Sequence, residues 1–346
     1  MRTLETMTFE VAPDIDPAKL TYTFGGVEAQ AQVKPGTVIS TSTLDCFAGR
    51  LTKDGKGTPS EQLDFRYLNP QTGPFYVEGA EPGDTLAVHF VSIEPRFDWG
   101  VSMMLPFFGA LTGTGTTATL NAPLPEQAWF YDFDVEKNTV WYQANDSDLR
   151  LPLPLDPMHG TVGVAPAAGE ARSSLAPGDW GGNMDSPEMR AQTTAYFRVN
   201  VPGAMFSLGD GHARQGEGEV CGVAVETAMN TVFILEVIKG GGPAWPRIES
   251  DEYLMTTGSV KPLEDAFRIA NVEMVNWVSE LLEISQMDAY QLVSQTSLSP
   301  AANVVDTVYT MVCKVPKKLL GEAALRAFGG THESLRKRAQ EWTSLQ

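Results

Sequence analysis

The chain has 346 residues, 42% of them hydrophobic and 20% charged, with a formal net charge of -18. That is enough apolar material for a sizeable core, in one large domain or two closely packed ones. So acidic a body repels phosphate backbones and anionic lipid, which excludes nucleic acid and membrane surfaces as favoured partners and tolerates a small neutral substrate.

In chain order, Met1–Thr6 has no apolar run after its basic residue, so no signal peptide is expected. Leu20–Phe24 alternates as a strand and stops at Gly25-Gly26. Thr37–Leu44 reads as a strand, Lys53–Ser60 as a loop and Phe75–Gly79 as a short strand. The turn Pro82-Gly83-Asp84 leads into the β-branched and aromatic run Thr85–Ile93. The alternating Leu and Pro of Leu151–Pro157 favour extended backbone. Thr161–Ala165, Thr194–Val201, Met205–Leu208, Val220–Glu226 and Thr231–Val237 are further strands.

The strongest helix signal begins at Pro262, where Glu264 and Asp265 suit the N-terminal end. Its apolar stripe is Leu263, Ala266, Phe267, Ala270, Met274, Trp277, Val278, Leu281 and Leu282. A second helix is expected at Met287–Ser294, a returning strand at Val304–Val312, and a helical tail from Pro316 with a solvated basic face. No run reaches about 18 apolar residues, so no membrane span is predicted. Cys46, Cys221 and Cys313 are odd in number and widely spaced, which points to a reducing, cytoplasmic setting rather than a disulfide framework. The expected fold is mainly β, with β-sandwich or barrel-like mixed sheets and a smaller α+β helical C-terminal part. Three segments are expected within one integrated unit: residues 1–160, residues 161–260 with the candidate metal site, and residues 261–346 packed on them.

The densest run of chemistry-bearing residues is Gly209-Asp210-Gly211-His212, continuing to Glu219. On a strand, Asp210 and His212 project to the same side and offer lone pairs to a divalent ion. Gly216 and Gly218 allow a turn that folds Glu219 back towards them; the plainer reading is a hairpin with acidic turn residues. In Pro177–Asp185, glycines including Gly182 let backbone N–H groups converge on a carbonyl oxygen, Asn183 could donate to it, and Asp185 could accept from an amide N–H. Asp45, after the strand Thr37–Leu44, is a ligand candidate or a turn residue. Glu226 ends an apolar strand and, if buried, needs a partner. Glu219 and Glu226 share one site only if the chain is irregular near Gly222. Cys221, in an apolar strand between acidic residues, reads as buried and inert. His89, His159 and His332 read as structural or surface residues. Trp99–Phe108 could line a pocket or form ordinary core.

Several long segments, in order, resemble the acetamidase/formamidase family. They are Asn69–Pro74, Val77–Asp84, Met158–Pro166, Pro177–Asp185, Gly209–Glu219, Asp265-Ala266, Ala289–Ser294 and Val304–Asp306. The resemblance implies a mainly β fold, metal-assisted hydrolysis of short amides and homo-oligomers. His159 and Leu44–Arg50 depart from the pattern expected of the family. On this basis Asp45, Asp210 and His212 are expected to hold a divalent ion, zinc first and Ca2+, Mg2+ or Mn2+ next, which lowers the pKa of water to roughly 7. Glu219 is expected as general base with Glu226 beside it, Asn183 as oxyanion donor, and Asp185 and Gly182 as substrate contacts. The alternatives are another C–N substrate (a lactam, carbamate or amidine) and a non-catalytic binding protein on the same scaffold.

Overall fold

The structure, a computed structural model, describes residues 5–112, 120 and 122–346, so most of the Met1–Thr6 start lies outside the described residues. Two large sheets dominate it. The first has nine strands and takes members from each of the three expected segments, among them Val38–Ser42, Thr85–Pro95, Met229–Ile238 and Tyr309–Pro316. The second has ten strands and includes Gln71–Val77, Trp99–Met104, Met158–Gly163, Gly181–Asn183, Phe206–Arg214 and Val225–Glu226. One apolar cluster lies between them, with Ile39, Val88, Phe90 and Phe233 from the first sheet and Phe75, Val162, Phe206 and Leu208 from the second. Phe233 meets Phe75 edge-on, with ring centroids 5.8 Å apart. This is the sandwich expected of alternating strands.

The run Thr85–Pro95 is apolar on both faces because both are covered. Leu86, Val88 and Phe90 enter the inter-sheet core, while Ala87 and Val91 pack against Leu335 and Ala339 of the helix Thr331–Thr343. The helix Leu263–Leu282 buries Ala266, Ala270, Met274, Trp277 and Val278 against the strands Tyr253–Val260 and Tyr309–Pro316. Small residues set that approach: a Cβ on Gly258 would lie 2.4 Å from the Ala266 carbonyl oxygen. Among the described residues no helix is long and apolar enough to cross a membrane.

Several expectations change. Pro262 is the N-cap rather than the first helical residue, and Phe267 is exposed, so the buried stripe is narrower than the periodicity suggests. Leu20–Phe24 shrinks to Thr23–Phe24, and Lys53–Ser60 ends in the helical turn Pro59–Gln62. Of Val220–Glu226 only Val225–Glu226 is strand, because Gly222 (φ 96°) turns the chain. Val304–Val312 divides into Ala301–Asn303 and Tyr309–Pro316. The tail is not all solvated face. Lys317 is buried and donates to Glu249 at 2.7 Å, and His332 is buried beside Thr194. Cys221 is exposed on a turn, not buried in a strand.

Candidate active site

The strand Phe206–Arg214 is built for two outward side chains. A Cβ on Gly209 would lie 2.5 Å from the Pro70 carbonyl oxygen, and one on Gly211 would lie 2.3 Å from Met229 Cγ. Only glycine fits at these two positions, so the alternate residues Asp210 and His212 face the other way, into one cavity. Opposite them, Gly160 in Met158–Gly163 does the same job: a Cβ there would lie 2.4 Å from Asp185 Oδ1, 2.6 Å from Asp210 Oδ2 and 2.8 Å from His212 Cε1.

Five carboxylates line this cavity: Asp185, Asp210, Glu219, Glu226 and Asp306. Among the described residues, His212 is its one histidine and no Lys or Arg lines it. His212 Nε2 lies 3.3 Å from Asp210 Oδ1 and 3.2 Å from Glu226 Oε1. Its other nitrogen, Nδ1, is 2.9 Å from Gln215 Oε1. The Gln215 amide nitrogen donates to the carbonyls of Asp185 at 2.6 Å and Ala302 at 3.0 Å, so Oε1 is the acceptor and His212 Nδ1 carries the hydrogen. That leaves Nε2 aimed at two carboxylate oxygens, an arrangement satisfied by a proton or by a cation.

The amides organise the rest. Asn183 Nδ2 donates to Asp185 Oδ2 at 2.9 Å and to Asp306 Oδ2 at 2.7 Å. Asn303 Nδ2 donates to Asp185 Oδ2 at 2.5 Å, to Asp306 Oδ2, and at 3.2 Å to Glu219 Oε2. Thr161 Oγ1 donates to Asp210 Oδ2 at 3.1 Å, and Asn69 Nδ2 donates to Thr161 Oγ1 at 2.8 Å. Two carboxylate oxygens, Asp185 Oδ1 and Glu226 Oε2, are buried without a hydrogen-bond partner among the described residues. Three of the acids have left-handed backbone: Asp185 (φ 43°), Asp210 (φ 57°) and Glu219 (φ 47°). Such positions cost on the order of 1–3 kcal/mol each and persist where the surroundings impose them.

Burial, and then the neighbouring acids, push the carboxyls of Asp185 and Glu219 well above the usual range. Burial raises Glu226 to about 7 although His212 opposes it. Asp210 stays below its usual value: burial would raise it, but His212 and Thr161 outweigh that. His212 is raised well above its usual value, because Glu226 and Asp210 overcome its desolvation. Cys46, also in the cavity, is pushed up by burial and by Glu226 and Asp210.

Asp210, His212, Glu219, Glu226, Asn183 and Asp185 therefore surround one cavity. Glu219 and Glu226 both reach it because the chain turns at Gly222, where the Gly222 N–H donates to the Glu219 carbonyl at 2.7 Å. Asp45 is not among the residues that line this cavity. Its Oδ1 accepts from the N–H groups of Phe47 at 2.8 Å and Gly49 at 3.1 Å, which makes it a turn residue. Asn183 has both amide hydrogens committed to Asp185 and Asp306, so it positions carboxylates and has none left for an oxyanion. Gly182 does not line the cavity; it packs in the strand Gly181–Asn183, where a Cβ would meet the Ala176 carbonyl at 2.5 Å. His159 is core: Nδ1 meets the Gly209 carbonyl at 2.9 Å and Nε2 meets Thr231 Oγ1 at 2.8 Å. The sequence reading gave no role to Asn69, Thr161, Gln215, Asn303 or Asp306. Asn69, Thr161, Gln215 and Asp306 stood inside segments carrying the family resemblance, which was the available signal; Asn303 stood just outside one.

The profile of the acetamidase/formamidase family matches residues 24–167 and 144–316, a range that contains every residue of this cavity. The chain belongs to the acetamidase/formamidase family. It is 27% identical to an acetamidase of Mycolicibacterium smegmatis over 62% of this chain and 64% of that one. It is 26% identical to a formamidase of Methylophilus methylotrophus over 61% and 62% of the respective chains. The matches thus span less than two thirds of both relatives. Among solved structures, an acetamidase from Yersinia enterocolitica superposes with a TM-score of 0.84 at 36% identity, covering 92% of this chain and 94% of that one. A γ-lactamase from Delftia acidovorans, at 20% identity and a TM-score of 0.60 over 90% and 93% of the two chains, shares the fold.

Proposed function

We propose that this protein hydrolyses the C–N bond of a carboxamide to a carboxylate and ammonia, with a divalent cation held by Asp210, His212 and Glu226. The observation that carries the reading is His212 Nε2 lying 3.2–3.3 Å from two carboxylate oxygens, in a cavity lined by five acids and, among the described residues, by no Lys or Arg. The donor set fits a cation. One imidazole and carboxylates suit zinc, and the unpartnered Glu226 Oε2 and Asp185 Oδ1 leave further oxygen donors for Ca2+, Mg2+ or Mn2+. Glu226 takes the place expected for Asp45, whose oxygen holds a turn.

A divalent cation there supplies Lewis-acid polarisation of water and of the amide carbonyl. The chain does the rest. Gln215 fixes the His212 tautomer, leaving Nε2 as the donor atom. Glu219, raised by burial, takes the proton of the attacking water and returns it to the departing nitrogen. Asn183 and Asn303 bridge Asp185 and Asp306, holding acceptors where the substrate NH2 enters. The same reading includes a reducing cytoplasmic setting, in keeping with three unpaired cysteines, and a homo-oligomer.

The test is ammonia release alongside metal content. His212→Ala is expected to lose both metal and turnover. Glu219→Gln is expected to keep the metal and lose about 100-fold or more in kcat. A fully metallated, active His212→Ala variant overturns the ligand assignment, and full turnover after chelation overturns the metal dependence.

A further inference from the structure

We propose that the amide taken by this cavity carries an uncharged apolar acyl group of about five to eight carbons, at roughly 30 Å³ per water-sized group, rather than one or two. The inference rests on the amidase reading and deepens it. The cavity has a volume of about 320 Å³, enough for roughly ten such groups, whereas acetamide has four heavy atoms. Its lining is of two kinds: the acids and His212 share it with Phe47, Phe65, Leu68, Met103, Phe108 and Leu175.

That apolar wall is not sealed core. Phe65 is 54% exposed and Leu175 is 41% exposed, yet both line the cavity that leads to His212. A formyl or acetyl group would leave this wall in contact with water. A longer acyl chain would cover it, and each methylene buried there is expected to raise kcat/KM about fourfold. The absence of Lys and Arg from the lining among the described residues disfavours an acyl group ending in a carboxylate, which would meet five acids. An apolar contact that acts on ground state and transition state alike appears in KM.

The experiment measures kcat and KM for acetamide, butyramide, hexanamide and phenylacetamide with the metal-replete full chain. It is repeated with Phe65→Ala and Leu175→Ala, two exposed positions that can be truncated without disturbing the core. The expected result is kcat/KM rising about fifteenfold per added carbon pair. Both variants should raise KM for hexanamide about tenfold and lower the ratio of hexanamide to acetamide kcat/KM by a similar factor. A flat or falling series overturns the inference and leaves the amidase reading intact. If no amide releases ammonia, the amidase reading fails and calorimetric binding decides the inference. Hexanamide binding at least tenfold tighter than acetamide, and weakened in Phe65→Ala, upholds the apolar subsite; equal or absent binding overturns it.

Discussion

At the scale of single residues, the site depends on what is missing. Gly160 has no side chain, and three groups fill the space its Cβ would need, at 2.4–2.8 Å. Two of them, Asp210 and His212, are proposed ligands; the third is the unpartnered Asp185 oxygen. Gly160→Ala adds one carbon and must push all three outward by roughly 0.6–1 Å to reach ordinary contact. The strand itself tolerates alanine, because no positive φ is recorded for Gly160. The expected outcome is a folded protein with metal affinity and kcat each reduced by about 100-fold, since displacements of about 1 Å at a reacting centre cost that much. Paired metal titration and ammonia kinetics check it; wild-type values for both would mean the cavity is looser than these distances imply. The alternation Asp210-x-His212 was legible in the sequence because a strand puts i and i+2 on one face. Asn303 and Asp306 were not, because hydrogen bonds spanning 118 and 123 residues carry them to Asp185 and Asn183.

At the scale of elements, the helix Thr331–Thr343 is tied to the first sheet by polar contacts as well as by Leu335 and Ala339. His332 Nδ1 lies 2.9 Å from Thr194 Oγ1, which lies 2.9 Å from His89 Nδ1. Burial, with His332 adding to it, lowers His89 from 6.5 to about 3. The sign follows from which state binds the proton. Below pH 6.5 the unfolded chain protonates this histidine while the native one does not, so stability is complete above 6.5 and is lost as pH falls towards 3. Between pH 6.5 and 5 the loss is about 2 kcal/mol. His89→Gln is expected to flatten denaturant-measured stability over that interval by a similar amount; an unchanged slope would mean that His89 takes up its proton in the native state.

The sequence suggested none of this for His332, because its basic neighbours read as a solvated face. Its burial comes from the strand Thr85–Pro95, which needs cover on its second face. The strands themselves were legible wherever β-branched residues alternate. The failure at Val220–Glu226 came from reading apolar composition past Gly222, whose φ of 96° ends the strand and delivers Glu219 to the cavity.

At the scale of the whole molecule, the net charge of -18 and the acid-lined cavity act in the same direction. A divalent cation approaching from solvent is drawn by both; a neutral amide feels neither. Surface charges are screened beyond about 8 Å at physiological ionic strength, so salt removes the long-range part of the attraction and leaves the buried part. Two quantities should therefore separate as salt rises from about 10 mM to about 500 mM. The apparent cation affinity, read by competition with a chromophoric chelator, is expected to fall about tenfold or more. The KM of the metal-loaded protein for a neutral amide is expected to stay within about twofold, because no charge is carried to the site. If KM rises in step with the loss of cation affinity while the metal stays bound, the preferred substrate is itself a cation, and the acids of this cavity serve to hold it.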